Sequence, residues 1–114
     1  VRVKRMTNYL IAQVKVNDDS WIPDYAAKVH DIVDRHGGKY LSRSGNITTI
    51  EGNQSDANLV AIIEFPSMDA LQAFIADPDY APYAAARQAG TDSQFIAIDS
   101  TDAAGTIPYL TAGG

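Results

Sequence analysis

Residues 37–66 decide the fold, and they read GGKYLSRSGNITTIEGNQSDANLVAIIEFP. Apolar and polar side chains alternate in residues 39–44 and again in 46–51, a spacing typical of β-strands. The apolar run Leu59–Phe65 is the strongest strand pattern in the chain, and Pro66 ends it because proline donates no backbone hydrogen bond. We predict a strand that is broken or bulged near Gly45, a polar loop over residues 52–58, and a third strand.

Charged residues interrupt this apolar pattern. Arg43, Glu51 and Glu64 all fall inside predicted strands, where a buried charge needs a partner. One interpretation pairs Arg43 with Glu64 or with Glu51 as a structural ion pair across the sheet. The other makes Glu64 a catalytic base with a raised pKa, as proton abstraction to an enolate requires, and Arg43 a ligand-binding residue.

Before this stretch the chain predicts one strand and one helix. Asn8–Val16 alternates, with Leu10, Ala12, Val14 and Val16 on one face. Residues 17–20 form a polar turn that is expected to supply the helix cap, and an amphipathic helix then runs to His36. Gly37 is the natural left-handed residue after the end of that helix.

After the stretch two helices and a strand are predicted. Ser67 caps the second helix, and the Asp77-Pro78 pair ends it. A third helix covers residues 79–89, and residues 93–100 form the last strand. The order β-α-β-β-α-β with an extra short helix predicts an α+β protein of ferredoxin-like arrangement, with helices on one face of an antiparallel sheet.

The predicted sheet is apolar on both faces. In Leu59–Phe65, Val60 and Ile62 point away from the face that Ala61 and Ile63 occupy. Helices cover only one face, so the other needs a second cover. We expect a homodimer in which two sheets pack face to face into a barrel. The alternative cover is the C-terminal tail, which carries few large apolar side chains.

The composition bounds the possible partners. The 114 residues predict one domain at residues 8–100, between a flexible extension at 1–7 and a tail at 101–114. The net charge of −5 argues against nucleic acid and anionic membranes, and no apolar run is long enough to span a bilayer. The chain has no cysteine and no signal-peptide pattern, so we expect a cytoplasmic protein.

The third helix carries the sharpest binding candidate. Tyr80, Tyr83 and Arg87 share one helical face by their spacing. A guanidinium on an aromatic face needs an anion or a π-face, so Arg87 is interpreted as a clamp for a ligand carboxylate or enolate, with Tyr80 gripping the same small molecule. The alternative is a structural pair of Arg87 with Glu64 or Glu51.

The remaining candidates are tyrosines and histidines. Tyr25 and Tyr83 are expected to line a ligand pocket with Tyr80, although tyrosines also fill the cores of small barrels. His30 and His36 lie six residues apart in sequence, which is not a helical metal-binding spacing. No phosphate loop, dinucleotide motif or metal cluster is present, so no cofactor and no metal are expected.

The segment His36-Gly37-Gly38-Lys39-Tyr40-Leu41-Ser42-Arg43-Ser44-Gly45 resembles the Gly-Gly-x-Tyr-Leu-x-Arg-Gly-Gly segment of the family known as domain of unknown function 1330, with Ser44 in place of a glycine. Further matching segments follow in the family's order, namely Glu51-Gly52, Glu64-Phe65-Pro66-Ser67, Asp77-Pro78-Asp79-Tyr80 and Arg87.

The resemblance implies a ferredoxin-like protomer that dimerises through its sheet, a branch of the dimeric α+β barrel superfamily. It implies little about chemistry, because the family is uncharacterised. The wider superfamily includes cofactor-free monooxygenases and muconolactone isomerases. Two functions are therefore retained, a cofactor-independent enzyme acting on a small oxygen-bearing molecule, and a non-catalytic binding or assembly module whose charges are structural.

Overall fold

A computed structural model describes residues 6–104 of the chain. Four strands and three helices follow one another as β1 (Asn8–Val16), α1 (Ile22–Arg35), β2 (Lys39–Ser44), β3 (Leu59–Phe65), α2 (Met68–Ile75), α3 (Ala81–Gly90) and β4 (Thr91–Asp99). The predicted α+β class, with four antiparallel strands and three helices, is confirmed. Most of the extension at 1–7 and of the tail at 101–114 lies outside the described residues.

The sheet has the order β2-β3-β1-β4, and all neighbouring strands are antiparallel. Its register places Leu10 beside Ile63 and Ala97, and Ala12 beside Ala61 and Phe95. These side chains face the helices, because the buried core unites Leu10 and Ile63 with apolar residues of α1 and α2. The central members of the core from the helices are Val29, Ile32, Val33, Leu71, Phe74 and, before α3, Tyr80.

The other face of the sheet carries no helix. The register lines up Ile11 with Ile62 on one side and Ile96 on the other. Ile96 and Ile98 are 45% and 51% exposed, whereas Phe65 on the helix face of β3 is fully buried. We call this uncovered surface, formed by Tyr9, Ile11, Val60, Ile62, Glu64, Ile96 and Ile98, the open face.

Strand β2 is shorter than the sequence predicts. Its pairing with β3 shifts between Tyr40 and Ser42, so the bulge lies at Leu41, earlier in the strand than the position near Gly45 that the sequence predicts. The strand then ends at Ser44, and the expected continuation over residues 46–51 is wrong, because these residues form a loop. Ile50, which would alternate inward in a strand, is 90% exposed there. The polar residues on either side of it offer no second apolar row to hold a strand in the sheet.

Helix boundaries follow local chemistry, with small corrections. Ser67 caps α2 as predicted, because its hydroxyl oxygen accepts a hydrogen bond from the amide of Ala70 at 3.1 Å. The predicted polar cap of α1 is wrong, since Trp21 occupies the cap position and makes no side-chain cap bond. Helix α3 begins later than predicted, at Ala81, and β4 begins earlier, at Thr91, directly after the helix.

The end of α1 is tied to the segment that joins α2 and α3. His36 Nε2 lies 2.7 Å from Asp77 Oδ2, and Arg35 reaches Asp77 at 3.3 Å and Asp79 at 3.1 Å. The hydrogen bond with His36, followed by the backbone amide of Asp79, holds the pKa of Asp77 below its ordinary value. Gly37 follows with a φ of 76°, the left-handed conformation predicted for it.

Candidate functional site

A cavity of about 360 Å³ lies between the covered face of the sheet and α1. Its wall is mostly apolar and includes six aromatic rings, those of Trp21, Tyr25, Tyr40, Phe74, Tyr80 and Phe95. Arg43 and Arg87 line the same space, while no Asp or Glu of the described chain does. The cavity therefore has an aromatic wall and a positive charge, and both features suit a flat molecule that carries negative charge.

Arg87 is the buried charge of this cavity. Only 6% of the residue is exposed, and its Nη1 donates a hydrogen bond to Ser93 Oγ at 2.8 Å. Its guanidinium carbon lies 4.1 Å from the centre of the Phe95 ring, a cation–π contact. The Nε–H group is buried and has no hydrogen-bond partner within residues 6–104. A cation held this way, with an unused donor and no carboxylate, is costly unless an anion joins it.

The junction of α3 and β4 fixes the direction of that guanidinium. Thr91 Oγ1 donates to the Arg87 carbonyl oxygen at 2.7 Å and lies 2.9 Å from Ser93 Oγ. The Ser93 hydroxyl then accepts from Arg87 Nη1. Because the helix passes directly into the strand, Thr91 binds the backbone of Arg87 while Ser93 binds its side chain.

The phenols of Tyr25, which is partly buried in α1, and Tyr80, which is buried just before α3, form a pair. Their hydroxyl oxygens are 3.0 Å apart, so one hydroxyl donates to the other, and the acceptor's own hydrogen meets no further partner among residues 6–104. Burial, reinforced by the neighbouring Tyr80 phenol, raises the pKa of Tyr25 far above its ordinary value. Tyr25 therefore stays protonated and available as a donor throughout the physiological range.

The second guanidinium of the cavity belongs to β2. Arg43 lies with its guanidinium carbon 3.9 Å from the centre of the Tyr40 ring. Burial raises the pKa of Tyr40, so this phenol is neutral as well. Arg43 is exposed, in contrast to Arg87, and it also lines the surface groove between α1 and β2. Arg43 is thus placed where the cavity meets the surface.

Trp21, at the start of α1, closes the wall near the end of α3. Its ring packs edge-on against Tyr25 with 5.2 Å between the ring centres, and its buried indole N–H has no partner in the described part of the chain. Gly90 permits this arrangement, because a Cβ there would lie 2.6 Å from Trp21 Cδ1 and 2.8 Å from the Asp18 carbonyl oxygen. The turn after β1 is held on Gly90, whose carbonyl accepts from the amides of Asn17 and Asp18.

The predicted ligand-binding residues separate into two groups. Arg87, Tyr80, Arg43 and Tyr25 all line the cavity. Tyr83 does not, since it packs partly buried against the core and borders a surface groove with Pro78 and Pro82. The groove that Tyr83 borders is shared with residues of α1, among them Ile32 and Arg35, and lies apart from the cavity that Arg87 lines.

Glu64, the predicted catalytic candidate, lies on the open face. It is paired in register with Lys39 and Tyr9, and its neighbours Ile63 and Phe65 point to the helix side. Arg43 is opposite Ala61 and faces the cavity. The shift at Leu41 reverses the face on which Arg43 would otherwise lie, so the predicted Arg43–Glu64 pair is wrong, and the described residues contain no ion pair of Arg43 or Arg87 with Glu64 or Glu51.

Sequence reasoning missed Trp21, His30, Asn58 and Phe95, which also line the cavity. Arg87 and Phe95 lie on α3 and β4, which follow each other without a loop. Ser93 and Phe95 alternate on one face of the strand directly after the helix that carries Arg87, and this pattern could have predicted their contact. For Trp21 the contact with Gly90 depends on tertiary packing alone. Within residues 6–104 no group of three or more His, Asp or Glu is placed to hold a metal ion.

The architecture defines an α+β protein with one antiparallel sheet, helices on one face and a cationic, aromatic cavity between them. Solved structures share the fold. A protein of unknown function from Rhodopseudomonas palustris has a TM-score of 0.74 at 22% identity, over 86% of this chain and 85% of that one. A dimeric ferredoxin-like protein from Thermobifida fusca has a TM-score of 0.53 at 15% identity, over 87% and 95%.

A third structure, the cofactor-independent oxygenase SnoaB from Streptomyces nogalater, has a TM-score of 0.55 at 18% identity, over 88% of this chain and 96% of that one. At these identities the likeness concerns the fold.

The chain belongs to the family described as Domain of unknown function (DUF1330), whose model matches residues 7–101, and the resemblance found in the sequence is confirmed. No curated protein matches the chain. No helix within residues 6–104 has the length and apolar character needed to cross a bilayer.

Proposed function

We propose that the cavity binds a small, flat, largely apolar molecule that carries an oxyanion. The observation that supports this most directly is Arg87, a buried guanidinium with an unused Nε–H and no carboxylate beside it among the described residues. The unused hydroxyl hydrogen of the Tyr25–Tyr80 pair adds a second donor. A volume of about 360 Å³ is enough for a ligand of one or two rings.

Fluorescence of Trp21 provides the binding test, because it is the only tryptophan in the sequence and it lines the cavity. Benzoate, benzyl alcohol and benzylamine offer the same ring with negative, zero and positive charge. Benzoate is expected to change the emission at the lowest concentration and benzylamine at the highest. Equal affinity for the three would contradict the proposal.

Arg87→Met is the matching variant, since it keeps much of the length and removes the charge. Benzoate affinity is expected to fall by about tenfold to a hundredfold, as for the loss of a charge-assisted hydrogen bond of about 1.5–3 kcal/mol. Arg35→Met is the control, because Arg35 is half exposed and bonds to Asp77 and Asp79 outside the cavity. Unchanged benzoate affinity in the Arg87 variant would assign that residue a structural role only.

We also propose that two copies of the chain pack open face to open face as a homodimer. The aligned Ile11, Ile62 and Ile96 provide an apolar row for that contact. The described dimeric state of the Thermobifida fusca protein, which shares the fold, supports it. Sedimentation at micromolar concentration tests the proposal, and a monomer mass there would overturn it.

Two roles for the bound molecule remain as proposals. The shared fold of the Streptomyces nogalater cofactor-independent oxygenase supports turnover of the ligand with dioxygen and no cofactor. Glu64 lies on the other side of the sheet, so a base within the same cavity would be His30. The alternative is a non-catalytic binding module. An oxygen electrode separates them, since dioxygen consumption with an identified ligand supports turnover, and its absence supports binding alone.

A further inference from the structure

The charged groups that line the cavity are all positive, and this affects whether an acidic ligand binds in its protonated or its ionised form. Two guanidinium groups line it, and within residues 6–104 no carboxylate does. An opposite charge within about 4–6 Å lowers the pKa of an acid by about one to three units. An acidic group in contact with Arg87 therefore experiences a positive charge that no neighbouring anion offsets.

The shape of the wall indicates which acids fit. Six aromatic rings surround the space, including the stacked Phe95 and the edge-on pair Trp21 and Tyr25. Such a wall favours flat conjugated molecules, because aromatic rings gain from stacked and edge-to-face contacts. Phenols and enols of conjugated molecules are weak acids, and their anions are delocalised. A modest electrostatic stabilisation by a nearby cation therefore decides whether they bind in the ionised form.

The donors of the cavity are matched to such an oxygen. Arg87 Nε–H is unused, and the Tyr25–Tyr80 pair has one hydroxyl hydrogen to spare. Burial keeps Tyr25 and Tyr40 protonated by raising the pKa of each. Both remain neutral donors while a ligand of lower pKa ionises, so they do not compete with it for the positive charge.

We propose that the cavity binds phenols or enols of conjugated molecules as their oxyanions and so increases the acidity of the bound ligand. This rests on the proposed ligand cavity. On binding, the ligand O–H bond breaks, its electron pair stays on the oxygen beside Arg87, and the proton leaves to water. The ionised form of an enol is the electron-rich form, so the site would prepare such a ligand for attack on an electrophile.

The titratable and charged groups around the site come from four places in the chain. They are Tyr25 and His30 of α1, Tyr40 and Arg43 of β2, Tyr80 before α3, and Arg87 of α3. His30 lies 3.2 Å from Asp31, and half of its side chain is exposed. Its imidazole lines the cavity and could accept a proton from the ligand, so His30→Gln is part of the test.

The experiment compares 4-nitrophenol with 4-nitroanisole, its methyl ether, which has the same ring and cannot ionise. Trp21 quenching measures the binding of both probes, and absorbance measures the ionised fraction of 4-nitrophenol free and at saturating protein. The bound pKa is expected to be about one to three units lower than the free pKa. Affinity for 4-nitrophenol should then rise about tenfold for each unit as the pH increases through the bound value, and level off above the free value.

Variants identify the cause of the shift. Arg87→Met is expected to abolish most of the shift while 4-nitroanisole still binds, and Arg87→Lys, which keeps the charge, to restore part of it. Arg43→Met should have a smaller effect because that residue is exposed. His30→Gln is expected to leave the shift in place. A shift that disappears in His30→Gln and persists in Arg87→Met would overturn the proposal.

The outcomes also separate this proposal from the one on which it rests. If both probes bind and 4-nitrophenol keeps its free pKa, the cavity binds ligands and the acidity proposal is wrong. If neither probe quenches Trp21, both proposals are wrong. Because the first comparison uses the unchanged protein, it remains decisive even where Arg87→Met fails to fold.

Discussion

The two faces of the sheet are built from the same strands and have opposite surroundings. On the covered face, Phe65 and Ile63 are buried under helices, and the space left over forms a cavity with two guanidinium groups. On the open face, Ile62 and Glu64 of the same strand meet no helix. Alternation along a strand therefore assigns each residue to a face, whereas the presence or absence of helices over that face decides whether it forms a cavity or an exposed surface.

The largest expected effect concerns the covered face. Phe65→Ala should lower the free energy of unfolding by about 3–5 kcal/mol, because it leaves a void under α1 and α2. Urea denaturation measures it. Ile62→Ala on the same strand is the control, and its cost should depend on protein concentration if the open face is a dimer contact. Equal, concentration-independent losses for the two variants would show that the faces do not differ as described.

A charge on the open face is expected to have the next largest effect. Ile62→Glu should weaken the proposed dimer by about 2–4 kcal/mol, since a carboxylate would be buried at the centre of the contact. Sedimentation velocity over a dilution series measures the dissociation constant. Ile50→Glu makes the same change at a position that is 90% exposed in the loop after β2. A dimer that withstands the first change but not the second would place the interface elsewhere.

A smaller effect is expected where the cavity wall meets Gly90. Gly90→Ala should cost about 1–3 kcal/mol of stability, because the added methyl group would overlap Trp21 and the Asp18 carbonyl. The emission of Trp21 should move toward longer wavelength as its ring is displaced toward water. Ala89→Ser, one residue earlier at an exposed position, is the control. Unchanged emission in Gly90→Ala would mean that Trp21 does not pack on this glycine.

The smallest effect is expected at Asp77, in the segment that joins α2 and α3 at the margin of the covered face. The lowered pKa of Asp77 means that its carboxylate stabilises the fold at neutral pH and that this contribution is lost as the pH falls below about 4, the ordinary value, and through the lower folded value. Asp77→Asn should therefore destabilise the protein at pH 7 and much less near pH 2. Thermal unfolding at both values measures this.

Asp34→Asn is the control for that measurement, because Asp34 is exposed and forms no ion pair within the described chain. A destabilisation by Asp77→Asn that is equal at both pH values would contradict the assigned role of the carboxylate.

Much of the fold could be predicted, because each of its decisive features is local. Strands β1 and β3 have the predicted bounds, since strict alternation and a terminal proline define them. Residues 46–51 alternate too, but no neighbouring strand holds them, so local pattern alone was misleading there. The early start of β4 at Thr91 could not be predicted, because it depends on hydrogen bonds between Thr91, Arg87 and Ser93.

The candidate site was predictable in its charges and not in its geometry. Spacing along α3 singled out Arg87 and Tyr80, and both line the cavity. The position of Arg43 depends on one bulged residue, Leu41, which changes the face of everything after it in β2. Without that residue Arg43 would lie on the same face of the sheet as Glu64. The contact of Trp21 with Gly90 joins positions far apart in the chain and leaves no local trace.

The direct passage of α3 into β4 has a consequence for protein engineering. One residue inserted after Gly90 would turn each following side chain of β4 to the opposite side of the sheet, exchanging Phe95 with Ile96 and removing Ser93 from Arg87. The loop at residues 45–58 imposes no such restriction, since its length changes no strand register once β2 and β3 are paired. Peptide tags or grafted segments belong in that loop, and the helix–strand junction should be left at its native length.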